Sequence, residues 1–369
     1  MSAALPLYIT SPSVPTEAEL SALLRTALES RRLSNAGPLN HQLKLRLSEM
    51  LKVPHLALTS NGTAAIEVVA RALEFHGKVI TTPFTFPATA AALIWTGATP
   101  VFVDVEEDFL TIDPNAVEQA MDESVSGILG VHVYGNPCDV VRLDAISKKH
   151  RIRLAYDGAH AFGTTYDNVD ISRYGDATTF SFHATKIFTT AEGGAICVNS
   201  PELHRKIELL SNFGIESEDS VADIGINAKM SEIHAAFGLA NLLHYHDDLE
   251  QRREIRKCYD DAFANLKGIS TLGDRPGISN RLQYYVIRVR DGKRDSVQSD
   301  LKSSGVFARR YFYPLLSDIK AYRQVCPSAS NPFPNATRAA AEVLALPLSA
   351  SMKKEDALRV ARIIKTSIT

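Results

Sequence analysis

Several features that would define other kinds of protein are scarce or missing in this 369-residue sequence. Its four cysteines, Cys138, Cys197, Cys258 and Cys326, are widely scattered, with no CxxC and no Cys/His cluster at metal-ligand spacing. That excludes a disulfide framework and a structural zinc site, and free thiols in a reducing cytoplasm are the simple expectation. The longest apolar stretch, residues 88–95, is far too short to span a bilayer. The first residues, MSAALPLYITSPS, lack a basic segment followed by an apolar one, so no signal peptide is expected. A formal net charge of −2 offers neither a basic nucleic-acid surface nor an acidic tail. No GxGxxG follows the first strand, and GxxxxGK[ST] and GxSxG do not occur. Dinucleotide, P-loop and α/β-hydrolase readings therefore lose their sequence support. His132, His150, His244 and His246 form no HExxH-like spacing and read as structural or surface residues. Repeats and low-complexity tracts are likewise missing.

What is present is alternation. Short apolar runs at 55–59, 78–81, 100–105, 127–134, 153–157, 177–182 and 194–199 are separated by helical patterns. Several runs are apolar at consecutive positions, as strands covered on both faces require. Between the first two, Ile66, Val69, Ala70 and Leu73 repeat at i, i+3, i+4 and i+7, one buried helical stripe. The spacing predicts an α/β domain with a large, mainly parallel sheet. Residues 227–266 read as a long helix, followed by strand-like 282–290, helical 294–304, strand-like 306–313 and helical 353–366. These pieces fit a smaller α+β domain. The expected division is an N-terminal segment (1–35, with a helix over 17–31 of open placement), a large domain (36–245) and a small C-terminal domain (246–369).

Three segments carry candidate chemistry. Residues 59–65, TSNGTAA, lie between a strand and a helix. Small and hydroxylic residues there offer free N–H groups and the favourable dipole end to an anion, and they equally make an ordinary N-cap. Asp157 closes an apolar strand, where open α/β sheets place ligand groups; it can pair with a protonated ring nitrogen or simply shape a turn. Lys186 stands just beyond another strand in FSFHATK, followed by Glu192-Gly193-Gly194. Partial desolvation would free its amine as a nucleophile, while a lone lysine after a strand is ordinarily a surface residue. The company of the other two segments favours the first reading, with Ser181 as a further phosphate donor.

The order of segments resembles the DegT/DnrJ/EryC1/StrS family of sugar aminotransferases over nearly the full length. AGPL at 36–39 resembles the family's N-terminal glycine-proline segment. NGTAA at 61–65 resembles its SGTAAL phosphate turn, and VITTPFTFPAT at 79–89 its P-x-TF-x-AT segment. PVFVDV at 100–105 is similar to its PVFVDV strand, and VHVYG at 131–135 with Asp139 to its VHLYG…D. FSFHATK with the later EGG resembles FSF-x-x-x-K…EGG, and GINAKMSE at 225–232 resembles G-x-N-x-R-M-S-E. Each alone is weak; together and in order they are specific.

The resemblance implies an aspartate-aminotransferase-like, fold type I architecture and an obligate homodimer with shared active sites. Its cofactor would be pyridoxal 5′-phosphate (PLP), cycling through the pyridoxamine form. Lys186 would hold that cofactor as a Schiff base and later move the proton, and Asp157 would keep the pyridine nitrogen protonated. Phe86 would stack on one ring face, with His160 on the other or near the 3′-hydroxyl. Gly62, Thr63 and Ser181 would bind the phosphate, joined by Asn227 from the neighbouring subunit. Tyr156, Gly158 and His160 depart from the residues usual around the ring-binding aspartate without removing the chemistry. Lysine at 186 separates the chain from family dehydratases, which carry histidine there.

L-glutamate is the implied donor and a nucleotide-linked keto-sugar the acceptor. ARRYFYP at 308–314 replaces the HYP segment of many members acting at C-3. It looks more like members that make dTDP-4-amino-4,6-dideoxy-D-glucose, with Arg309, Arg310 and Tyr311 as substrate-binding candidates and the arginines facing pyrophosphate. A C-3 transaminase, a different nucleotide sugar, or a non-enzymatic regulator on the same fold are the alternatives.

Overall fold

The computed structural model describes residues 5–368; the first four residues of the expected N-terminal segment and the last of the C-terminal domain lie outside them. Seven strands form the large sheet: β1 (His55–Thr59), β2 (Lys78–Thr81), β3 (Thr99–Phe102), β4 (Val125–Val131), β5 (Arg153–Asp157), β6 (Ala177–Ser181) and β7 (Gly194–Val198). Their order is β1-β7-β6-β5-β4-β2-β3, and β7 alone runs antiparallel to its neighbours.

Alternation along these strands feeds two apolar layers, because successive side chains leave opposite faces. Ile80, Ile128, Leu154, Tyr156 and Phe180 join one layer with Leu39, Leu43, Leu47 and Leu51 of helix α1 (Pro38–Leu51). Val79, Leu129, Ala155 and Ile196 join the other with Ala65, Val68 and Val69 of α2 (Gly62–Ala72) and Leu93 of α3 (Pro87–Trp95). Both faces being covered explains the unbroken apolar runs in the sequence.

The helix expected over 17–31 forms as Glu17–Ser30, opened by a capping box between Thr16 and Glu19. It packs on α1 and on the helix Glu232–Leu242. A second sheet, Ile269–Thr271, Tyr285–Val289 and Val343–Leu346, is antiparallel with Tyr285–Val289 in the middle. It shares an apolar cluster with the helices Tyr245–Phe263, Arg294–Ser303 and Lys354–Ile368.

Two expected elements come out differently. The long helix over 227–266 is two helices, Glu232–Leu242 and Tyr245–Phe263. Ser231 starts the first by accepting from His234 N, which leaves residues 227–230 extended, with Lys229 bridging to Thr59. Glu232 is fully buried because its carboxylate accepts from Leu39 N (2.8 Å) and Asn40 N (2.9 Å), capping α1. The strand expected over 306–313 is only Val306–Phe307, paired with Leu7–Tyr8. After one further bridge, Arg309 to Ala345, the chain turns inward as an aromatic corner.

Candidate active site

Thr59, Asp157 and Ser181 end parallel strands at one edge of the large sheet, and Gly194, at the start of antiparallel β7, meets them there. Gly194 stands opposite both Thr59 and Ser181. A Cβ on Gly194 would lie 2.7 Å from Phe180 O and from Thr59 Oγ1, so the three strands close together only around glycine. Open α/β sheets gather ligand groups at such an edge.

Helix α2 begins here. Asn61 caps it, its Oδ1 accepting from Ala64 N at 2.8 Å. The N–H groups of Gly62 and Thr63, in the first turn, have no intrahelical acceptor. A Cβ on Gly62 would lie 2.8 Å from Ser181 Cβ, so glycine lets the helix N-terminus approach the Ser181 hydroxyl. Free N–H groups, a serine hydroxyl and the positive end of the helix dipole make a cradle suited to a phosphate.

Asp157 is 5% exposed and both its oxygens are occupied. Oδ2 accepts from Thr89 Oγ1 at 2.7 Å and Oδ1 from Ala159 N at 3.0 Å. Thr89 lies in the first turn of α3, whose N-cap is Phe86, and Thr85 Oγ1 is 2.9 Å from Thr89 Oγ1. The Phe86 ring lines the cavity and is exposed.

Lys186 lies on the connection between β6 and β7 and is half-buried. Burial of its amine lowers its pKa to about 8, with the Asp157 charge working in the opposite direction. Burial, helped by the nearby lysine, holds His160 well below the usual histidine range, so its ring is neutral. Its Nδ1 accepts from Tyr134 N at 3.3 Å, which leaves the proton on Nε2. The ring lies parallel to Phe312 (centroids 5.9 Å apart) and meets Tyr284 edge-on at 5.1 Å.

One cavity of about 230 Å³ gathers Gly62, Thr63, Phe86, Asp157, His160, Ser181, Lys186 and Tyr311. Asn227 is exposed on the extended segment before Ser231 and lies outside that lining. Arg309 and Arg310 lie outside it too. Arg309 is exposed, and Arg310 stacks over Tyr313 and pairs with Asp295 at 3.3 Å. Thr89 on Asp157, and Tyr284 and Phe312 in the wall, were not singled out from sequence. For Thr89 a signal existed, since Thr85 and Thr89 are four apart at a proline-marked helix start. Phe312 stands inside the ARRYFYP segment, next to the candidate Tyr311, whereas Tyr284 comes from the distant C-terminal region and carries no local signature.

Among the described residues, no group of His, Cys, Asp and Glu is arranged to hold a metal ion, and no helix is long and apolar enough to cross a membrane. All four cysteines are unpaired.

The model of the DegT/DnrJ/EryC1/StrS aminotransferase family matches residues 15–365. The dTDP-4-amino-4,6-dideoxy-D-glucose transaminase of Shigella dysenteriae is 38% identical over 353 residues, 95% of this chain and 96% of its own. The crystal structure of DesI in the presence of its TDP-sugar product matches with a TM-score of 0.93 at 36% identity, over 98% of this chain and 93% of that one. Spr1654 of Streptococcus pneumoniae, solved in a PLP-form and a PMP-form, matches at 28% identity with a TM-score of 0.91. The PLP-form match covers 98% of both chains.

Proposed function

The chain belongs to the DegT/DnrJ/EryC1/StrS aminotransferase family, and from that premise we propose that it moves the amino group of L-glutamate to C-4 of dTDP-4-keto-6-deoxy-D-glucose. The product is dTDP-4-amino-4,6-dideoxy-D-glucose, and Lys186 is the residue that carries pyridoxal phosphate. One observation bears most of the weight: a desolvated lysine amine, a buried aspartate and an open helix N-terminus share a single cavity. The name of the Shigella relative and the TDP-sugar in the DesI structure support the choice of sugar.

When bound, pyridoxal phosphate supplies an electron sink for the carbon that gains or loses a proton. The residues around it have separable tasks. Gly62 and Thr63 N–H with the Ser181 hydroxyl hold the phosphate. Asp157, aimed by Thr89 and Ala159, holds a proton on the ring nitrogen. Phe86 would cover the ring, and neutral His160 would have its Nε2–H available for the ring hydroxyl. The Lys186 amine, with a pKa of about 8, is matched to taking and returning a proton near neutral pH. The polypeptide is a homodimer in this reading, and Asn227 completes the phosphate set across the interface. Tyr311 contacts the acceptor sugar, with Arg309 and Arg310 serving the pyrophosphate outside the cavity. The same reading divides the chain at residues 35 and 245.

The test is the near-visible absorption of the purified holoenzyme, first with L-glutamate and then with dTDP-4-keto-6-deoxy-D-glucose. Loss of the visible band with glutamate and its return with the keto-sugar is the expected result. Loss without return discards the sugar and moves the search to C-3 keto-sugars and other nucleotides. A protein that cannot be loaded with pyridoxal phosphate removes the reading altogether.

A further inference from the structure

Gln283 is 1% exposed and leads into Tyr285–Val289, the middle strand of the C-terminal sheet. Two hydrogen bonds of its side-chain amide reach the main chain beside Lys186. Oε1 accepts from Ile187 N at 2.7 Å, and Nε2 donates to Thr185 O at 3.0 Å. Those atoms belong to the two peptide planes that bound Lys186. Because each plane is rigid, fixing both fixes the backbone dihedrals of the lysine and hence the direction of its Cα–Cβ bond.

The clamp is itself held. The fully buried Arg252 donates to Leu282 O at 3.3 Å and to Leu348 O at 2.9 Å. Arg281 pairs with Asp274 and donates to Leu272 O at 2.9 Å. On the other side of Gln283, Tyr284 lines the cavity and meets His160 edge-on. A side chain some 97 positions away in sequence (283 − 186) therefore ties the lysine connection to the second sheet.

We propose that Gln283 is a positioning residue for Lys186, acting through the Thr185 and Ile187 peptide groups and keeping the amine desolvated inside the cavity. The inference rests on Lys186 being the reactive amine. Only a side chain with a donor and an acceptor on one planar group satisfies both peptides. Glutamate meets that condition when protonated and fails it when ionised, since a carboxylate has no donor.

Two variants and two readouts test the clamp. In cofactor-free protein, Lys186 is labelled competitively with acetic anhydride across pH and quantified by mass spectrometry. The wild-type midpoint is expected near 8, and Gln283→Leu is expected to move it up toward the ordinary lysine value of 10.5. In the holoenzyme, Gln283→Leu should lower kcat roughly tenfold to a hundredfold at every pH, with KM for the amino donor within about twofold. Gln283→Glu should approach wild-type kcat at acid pH and fall as its carboxyl ionises.

A folded Gln283→Leu protein with the wild-type labelling midpoint and kcat would overturn the proposal. So would a Gln283→Glu enzyme whose pH profile matches wild type, and that variant decides the question if Gln283→Leu does not fold. Failure of the transaminase reading has a different sign: the wild-type holoenzyme would show no spectral response to glutamate, while the labelling shift in cofactor-free protein would still stand or fall by itself.

Discussion

The hydroxyl of Thr89 donates to Asp157 Oδ2 at 2.7 Å, so the first turn of one helix sets the aim of a carboxylate at the end of a strand. Phe86, the N-cap of the same helix, lines the cavity beside that carboxylate. The placing of an exposed aromatic ring and the aim of a buried carboxylate thus depend on one short element.

Thr89→Val keeps the shape and removes the donor. A hydrogen bond to a charged group contributes about 1.5–3 kcal/mol, so kcat should fall by about tenfold or more. Thr89→Ser, which restores the hydroxyl, should recover most of it. Steady-state kinetics with saturating donor check both, and equal kcat values for Val and Ser would mean that the bond does not serve the reaction.

Gly62→Ala puts a Cβ 2.8 Å from Ser181 Cβ. Overpacking of this kind costs about 1–3 kcal/mol, and here it falls on the spacing between the helix N-terminus and the serine hydroxyl. Pyridoxal phosphate affinity should drop about tenfold to a hundredfold. Equilibrium dialysis of the variant against cofactor measures it.

The lowered pKa of Lys186, about 8, gives a pH dependence of known sign. Only the unprotonated amine is nucleophilic, so the rate of loading cofactor-free protein with pyridoxal phosphate should rise with pH and level off above about 8. Folding is linked to the same group. Between about 8 and the ordinary lysine value of 10.5 the unfolded chain binds a proton that the native lysine has released, so native stability rises with pH across that window. Lys186→Met removes the buried charge. Its cofactor-free form should melt above wild type at pH 7, with an advantage that shrinks as pH climbs from 8 toward 10.5, and it should show no transamination.

If Asn227 serves the neighbouring subunit's phosphate, two weak enzymes make one good one. Lys186→Ala and Asn227→Ala subunits, each poorly active alone, should regain activity when co-expressed, because one site of the mixed dimer has both residues intact. Activity no greater than the sum of the separate proteins would place Asn227 outside the partner's site.

The large sheet was legible because its strands are buried on both faces and written as continuous apolar runs. His55–Thr59, Lys78–Thr81 and Arg153–Asp157 fall where the sequence puts them. The break between Leu242 and Tyr245 was not legible. Near it, the Asn241 side chain donates to Thr189 O at 2.9 Å, a tertiary bond with no trace in helical periodicity. Residues 308–313 read as the continuation of a strand from their aromatic character, yet their rings meet Tyr134, His160 and Tyr284 instead of a neighbouring strand. In the site, Gly62, Asp157, Ser181 and Lys186 stand in recognisable local segments. Thr89 stands in such a segment too, but its bond to Asp157 does not show there, and Gln283 and Tyr284 act through side chains brought in from elsewhere, so only the fold shows what the three touch.

The strand order has a consequence for how the molecule is made. β1 borders only β7, although 134 residues separate the end of one from the start of the other (Thr59 to Gly194, 194 − 59 − 1). Pairings this distant in sequence close late, because the chain must surrender a long loop's freedom first. A nascent chain emerging from the ribosome cannot bring Gly62 against Ser181 in this arrangement until residues 194–198 are free to slot between their strands. The helix N-terminus and the serine hydroxyl therefore meet only once the large sheet is complete.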